Sequence, residues 1–279
     1  AGPAPTPAPG PAQLPAPAPT PVGPRVDVPI KLMTFNVYFA SLGTPRRVDG
    51  ISTAISQMDA DIGVITEQWG EKPAILKQVR EKSGRNYTFC DSGRQEKTWD
   101  GDILYDQDQW EALEDGVKDL GSNRGLSWAV MRHRASQRGL LVYGVHPLCC
   151  GNERAHLQNA VDFAAHAQSR PEYPEMPVVI MGDFNALEDW GSTKLYKGER
   201  VWAYNRHWQL PFAFDDVFRV PRGNRYVDGT THDSGSRLDY IFAERRSPRV
   251  FHVSSARIWR SAPGSSDHYP IVADVVLRR

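Results

Sequence analysis

Three cysteines in 279 residues are too few for a disulfide framework. No run of 18 apolar residues occurs, which argues against a transmembrane helix. Excess charge of one sign is missing too. Lys+Arg and Asp+Glu are both 33, so bulk electrostatics neither requires nor forbids a polyanionic partner, and a basic groove can still exist locally. The chain has no internal repeat, no HExxH segment and no Cys or His cluster with ligand spacing, which disfavours a zinc centre.

The few cysteines do bear on compartment. Cys90 bonded to either Cys149 or Cys150 would leave one thiol over; the alternative is three reduced thiols in a cytosolic protein. Asn86-Tyr87-Thr88 is a glycosylation sequon. Residues 1–29 contain 11 of the 22 prolines and almost no large apolar side chain. Such a segment cannot bury enough to offset its ordering entropy, and reads as an extended spacer or a ligand for a proline-reading domain. Together these features favour secretion, although the chain starts at Ala1 and shows no signal peptide.

Residues 30–279 read as one catalytic-size domain, expected to be monomeric. Ile30–Phe39 alternates like a strand, and Arg46–Met58 repeats its apolar residues at helical spacing. Further strands are expected at Asp61–Thr66, Asn86–Cys90, Asp102–Tyr105, Leu126–Arg132, Gly139–His146, Val178–Gly182, Arg237–Phe242, Arg249–Ser254 and Ile271–Leu277. Helices are expected at Lys72–Lys82 and Glu153–Ser169. This order gives an α/β (α+β) fold, a mixed sheet or two packed sheets with outer helices. Leu187–Phe214 is aromatic-rich and reads as a loop packed by its own rings, or as a rim contacting substrate.

Polar residues stand at the ends of these apolar runs. Asn36 closes LMTFN, Glu67 follows DIGVIT, His146 ends LLVYGVH, Asp183 and Asn185 lie in GDFN, Asp239 opens DYIF, and Asp267-His268 precede the last strand. Strand ends hold side chains in fixed directions, as a catalytic pocket needs. Glu67 beside Asn36, with Asp267 as a third group, suits Mg²⁺, which prefers oxygen ligands; Mn²⁺ and Ca²⁺ share that preference. Asp239 would orient His268 as a general base. His146 would donate to phosphate or the leaving oxygen, Asp183 would orient water, and Asn185 and Arg124 would bind phosphate. An Asx turn is the plain alternative for Asp183 or Asn185, and a solvated arginine for Arg124.

The series TFNV, TEQW, GVHP, GDFNA, RLDYIF and SDHYPI, from Lys31 to Leu277, resembles the endonuclease/exonuclease/phosphatase superfamily, the fold of deoxyribonuclease I. The resemblance implies a four-layered sandwich, two packed mixed β-sheets flanked by helices, with Mg²⁺-dependent cleavage of a phosphoester. It implies Glu67, Asn36 and Asp267 at the metal, His268 with Asp239 as base, and His146 as second catalytic histidine. Asp183 and Asn185 would position nucleophile and phosphate, and Arg124 would bind phosphate. Asp102 stands where many members carry asparagine, and no glutamate that orients the second histidine can be placed. The expected substrate is a phosphodiester, foremost DNA; a sphingomyelinase-like phospholipase or a broad phosphomonoesterase uses the same chemistry. A non-catalytic binding module is the reading from another class, and the full set of acids and histidines argues against it.

Overall fold

Alternate residues of the central strands face different neighbours, and this divides the protein into layers. In the computed structural model, which describes residues 26–38, 45–68, 70–90, 101–122, 124–150, 152–223, 225, 227–260 and 265–278, strand β1 spans Val28–Asn36, helix α1 Pro45–Met58, β2 Ile62–Thr66, α2 Lys72–Ser83, β3 Tyr87–Phe89 and β4 Asp102–Asp106. Then come β5 Trp110–Gly121, β6 Arg124–His133, β7 Gly139–Val145, α3 Glu153–Ser169, β8 Val178–Asp183 and α4 Gly191–Tyr196. The chain continues with β9 Val201–Ala203, β10 Arg206–Trp208, β11 Ala213–Asp216, β12 Asp239–Arg245, β13 Phe251–Ile258 and β14 Ile271–Leu277.

One six-stranded sheet has the order β13-β14-β1-β2-β4-β3 and the other β11-β12-β8-β7-β6-β5; β9 and β10 form a separate hairpin. Ile30 and Leu32 of β1 meet Val179 and Met181 of β8 in the core between the sheets. Met33 and Phe35 turn the other way, onto Ile51, Ile55 and Val79 of α1 and α2. Val178 and Ile180 turn outward beneath Leu157, Ala160 and Phe163 of α3. The period of two in the strands thus produces four layers, α/β/β/α. Burial on both faces is why these strands are almost wholly apolar.

Three expectations need correction. Pairing of Val28 with Leu277 starts β1 two residues inside the expected spacer, whose residues 1–25 lie outside the described ones. Cys149 bonds to Cys150, and Cys90 is buried between the sheets instead of bonding to either. The segment 187–214 is not a self-packed loop. It forms α4, the hairpin and the start of β11, and Tyr196, Trp208 and Phe214 are buried against the second sheet with Phe212 packed beside them.

Candidate active site

Two parallel pairs, one in each sheet, set the site. A parallel pair joined by a crossover helix delivers both carboxyl ends to one sheet edge. In the first sheet Asn36 pairs with Thr66, so Glu67 follows directly beside it. In the second, Val145 pairs with Gly182, so His146 and Asp183 emerge side by side. Antiparallel β12 adds Asp239 opposite Asp183. The segment before β14 returns to the end of β1, where Ser266 Oγ donates to the Asn36 carbonyl at 2.7 Å and accepts from the His268 amide at 3.0 Å.

The backbone bends sharply where these strands end. Glu67 has φ +61° and Asn185 φ +47°, left-handed conformations that are uncommon for non-glycine residues and readily taken by asparagine. Gly182 has φ +149°, and a Cβ there would lie 2.0 Å from the Val145 carbonyl oxygen. Only glycine lets β8 approach β7 closely enough to bring Asp183 against His146.

Asp183 Oδ2 is the centre of the cluster. Asn36 Nδ2 donates to it at 2.9 Å and also to Glu67 Oε1 at 3.0 Å, joining a carboxylate from each sheet. His146 Nε2 lies 3.5 Å from Glu67 Oε1 and 3.6 Å from Asp183 Oδ2. His268 Nε2 lies 3.8 Å from Asp183 Oδ2, while its Nδ1 is 2.8 Å from Asp239 Oδ2. Asp239 is held by its backbone, whose amide donates to Thr231 Oγ1 at 3.1 Å. Its Oδ1 is buried and accepts no hydrogen bond within the described residues.

Charges in this buried cluster shift one another. Burial lowers the His146 pKa well below the usual value, and the charges of Arg124 and His268 lower it further. Arg124 Nη1 lies 3.1 Å from His146 Nδ1, and a guanidinium can only donate. The neutral ring therefore carries its proton on Nε2, facing the acids. His268 behaves oppositely. Burial disfavours its charge, but the charge and hydrogen bond of Asp239, followed by Asp183 and Asp267, push its pKa up to about 10. Burial, then the nearby Asp239 charge, raises the Asp183 carboxyl, against His268 and the donors Asn185 and Asn36.

The sequence-derived residues Asn36, Glu67, His146, Asp183, Asp239 and His268 thus meet in one cluster. Three others are placed differently from expectation. Asp267 Oδ2 faces His232 Nε2 at 3.5 Å, in a group with His268 and apart from the one formed by Glu67, His146 and Asp183. Asn185 does not extend the strand. Its amide donates to Asp183 Oδ1 at 2.8 Å in an Asx turn, and its Nδ2 donates to the Pro147 carbonyl at 3.1 Å, tying down the His146 loop. Arg124 backs His146, on the side of the ring where the resemblance would put a glutamate. Asp102 accepts from Gln68 and forms an ion pair with Lys72 at 3.3 Å.

His232 and Thr231 were missed. Their signal is the polar turn segment THDSG, which reads as loop; only its position before the Asp239 strand hints at the site. Also missed was the buried pair behind Asp239, in which Arg237 Nη1 and Nη2 donate to Asp216 at 2.7 Å each.

Glu67 Oε1 and Asp183 Oδ2 lie close enough together to ligate one ion, and His146 Nε2 stands in the same group with its N–H directed at them. Two carboxylates bridged by an amide N–H, with Glu67 keeping some exposure, fit a hard divalent cation. Asn36 Oδ1 accepts from the Tyr38 amide at 2.9 Å, so Asn36 serves here as the donor holding the two acids.

A family model for "Endonuclease/Exonuclease/phosphatase family" matches residues 33–268. A search of the curated proteins finds no match. Among solved structures, an endonuclease/exonuclease/phosphatase from Bacteroides vulgatus is 20% identical with a TM-score of 0.67, over 89% of this chain and 98% of that one. The human nocturnin catalytic domain with bound sulfate is 18% identical with a TM-score of 0.68, over 90% and 97%. D. rerio TDP2 complexed with single-strand DNA product is 15% identical with a TM-score of 0.66, over 88% and 98%. At these identities the structures speak for the fold alone.

Proposed function

This chain belongs to the endonuclease/exonuclease/phosphatase family, a family of phosphoester hydrolases, and we propose that it is a divalent-cation-dependent phosphodiesterase cleaving nucleic acid by in-line attack of water. The observation that carries this reading is the meeting at Asp183 Oδ2 of an amide donor, a neutral histidine and a carboxylate-paired histidine. Acceptors and proton carriers thereby converge on one point, as chemistry at a phosphoryl group requires.

Glu67, with Asp183 across from it, would hold the cation, which when bound neutralises charge growing on the phosphoryl oxygens. Asp183 accepts a hydrogen bond from the attacking water and orients it. Asp239 holds the His268 ring through Nδ1, leaving Nε2 to take the water's proton. Neutralising the acids around His268 weakens the field that keeps the ring charged, which brings it toward the range of a base near neutral pH. His146 presents Nε2–H as a donor to a phosphoryl or leaving oxygen, and Arg124 fixes that tautomer.

The nucleic-acid substrate is supported by the like-folded zebrafish TDP2, captured with single-strand DNA product. We place the protein outside the cytosol, a reading supported by the Cys149–Cys150 disulfide and the exposed Asn86 sequon. The test is a substrate screen of plasmid DNA, single-stranded oligonucleotides, bis-p-nitrophenyl phosphate, p-nitrophenyl phosphate and choline phospholipid, with EDTA, Mg²⁺, Mn²⁺ or Ca²⁺. DNA and the small diester should be cleaved only with a divalent ion. His268→Ala should lower turnover by about 10²–10⁴-fold while the fold is kept. Hydrolysis undiminished by EDTA would refute the cation, and a preference for p-nitrophenyl phosphate would replace the diester reading with a monoesterase.

A further inference from the structure

The β9–β10 hairpin belongs to neither large sheet and carries Trp202 and Tyr204, 62% and 52% exposed, more than any other large hydrophobic residue described. Its inner face is fixed. Trp208 is buried against the second sheet, its Nε1 donates to the Ala203 carbonyl at 2.9 Å, and Arg206 stacks 3.4 Å over its ring and donates to Gln158 of α3. The outer face is aromatic and basic. Trp202 meets His207 edge to face at 4.6 Å, the Arg154 guanidinium lies 5.7 Å from the Tyr204 ring centre, and Arg154 and Arg200 are exposed.

The turn is a second, independent observation. Tyr204 and Asn205 both have positive φ, +53° and +59°. A two-residue turn of this kind is easiest with Asn-Gly. A tyrosine there costs backbone strain, and in return projects a large ring into solvent. Packing in the core does not account for it, because Tyr204 is half exposed.

The hairpin is tied by chain to the His146 loop. Arg154, whose guanidinium contacts Tyr204, is in the first turn of α3, eight residues after His146, so it lies within about 28 Å of that residue, the span of an extended chain of that length. We propose that Trp202 and Tyr204 form a stacking platform for single-stranded nucleic acid leaving the pocket on the His146 side, with the arginines following its phosphates. Rings set among arginines on a rigid hairpin match this ligand, because every base offers a π face and every link a negative charge. A membrane-inserting tip would instead be continuously apolar, whereas this one reads Trp-Ala-Tyr-Asn-Arg-His. The proposal rests on the nucleic-acid reading above and adds a binding subsite to it.

The test compares wild type, Trp202→Ala, Tyr204→Ala and the double variant on a single-stranded oligonucleotide of about 20 nucleotides and on bis-p-nitrophenyl phosphate, which has no flanking nucleotides to lay along a platform. Each single change should raise KM for the oligonucleotide about tenfold and leave hydrolysis of the small diester unchanged. Trp202→Phe should retain most of the wild-type KM. An unchanged oligonucleotide KM in the double variant overturns the platform while the nuclease reading stands. Cleavage of the small diester without any cleavage of oligonucleotide overturns both. Loss of binding to phosphatidylcholine vesicles in the variants, with no change on oligonucleotide, assigns the hairpin to lipid and overturns the platform.

Discussion

Arg124 shows what a single residue does here that its type alone does not reveal. An arginine at the start of a strand suggests a phosphate clamp, but its guanidinium lies behind the His146 ring and sets which nitrogen holds the proton. Arg124→Gln should lower kcat on bis-p-nitrophenyl phosphate by about 10–100-fold, the usual cost of losing the group that orients a catalytic ligand; an unchanged kcat would show that His146 needs no such partner. At this scale the sequence makes the strand-end acids and histidines legible, because a polar residue closing an apolar run has few structural reasons to be there. It does not show that Asp267 stands beside His232, because the turn that carries His232 is remote in sequence. Asp267 lies in a bend just before His268, and its carboxylate meets His232 and stays close to the His268 ring. Which ring a loop such as THDSG brings alongside is decided by tertiary pairing, here the bridge between His232 and His268.

Among the elements, strands with two buried faces are legible and edge strands are not. The run Val178–Asp183 is apolar because both faces are covered. Trp110–Gly121 lies at a sheet edge, and its charged, mostly exposed residues hide the strand pattern. Ala213–Asp216 is also an edge strand, and its acidic pair looks like a turn until Arg237 is seen to hold Asp216. Gly182→Ala tests the closeness of β7 and β8. The added carbon would meet the Val145 carbonyl, so the strands must separate, at a cost of about 1–3 kcal/mol. Urea midpoints should fall accordingly, and activity should fall further, since Asp183 moves with the strand. A variant of normal stability and activity would mean that β8 has room the packing does not show.

For the molecule as a whole, the buried His268–Asp239 pair links the site to stability. The folded-state pKa of His268 is raised to about 10, above its ordinary 6.5. Its contribution is therefore fully present below about 6.5, declines as the unfolded chain loses a proton that the folded protein keeps, and is gone above about 10. In EDTA, melting temperature should fall between about pH 7.5 and 10, above the range where the raised Asp183 carboxyl titrates. Asp239→Asn should flatten this slope; an equally steep slope in that variant would locate the titration elsewhere.

The bond network around Asn36 has a mechanical corollary. One amide grips an acid from each sheet, so the pocket is a seam between two halves and not a hollow in either. A slip of one half against the other by the width of a single atom would part Glu67 from Asp183 with both halves still intact. Catalysis should consequently be the most fragile property of this protein, lost on warming or in mild denaturant while spectroscopic signals still report a native fold.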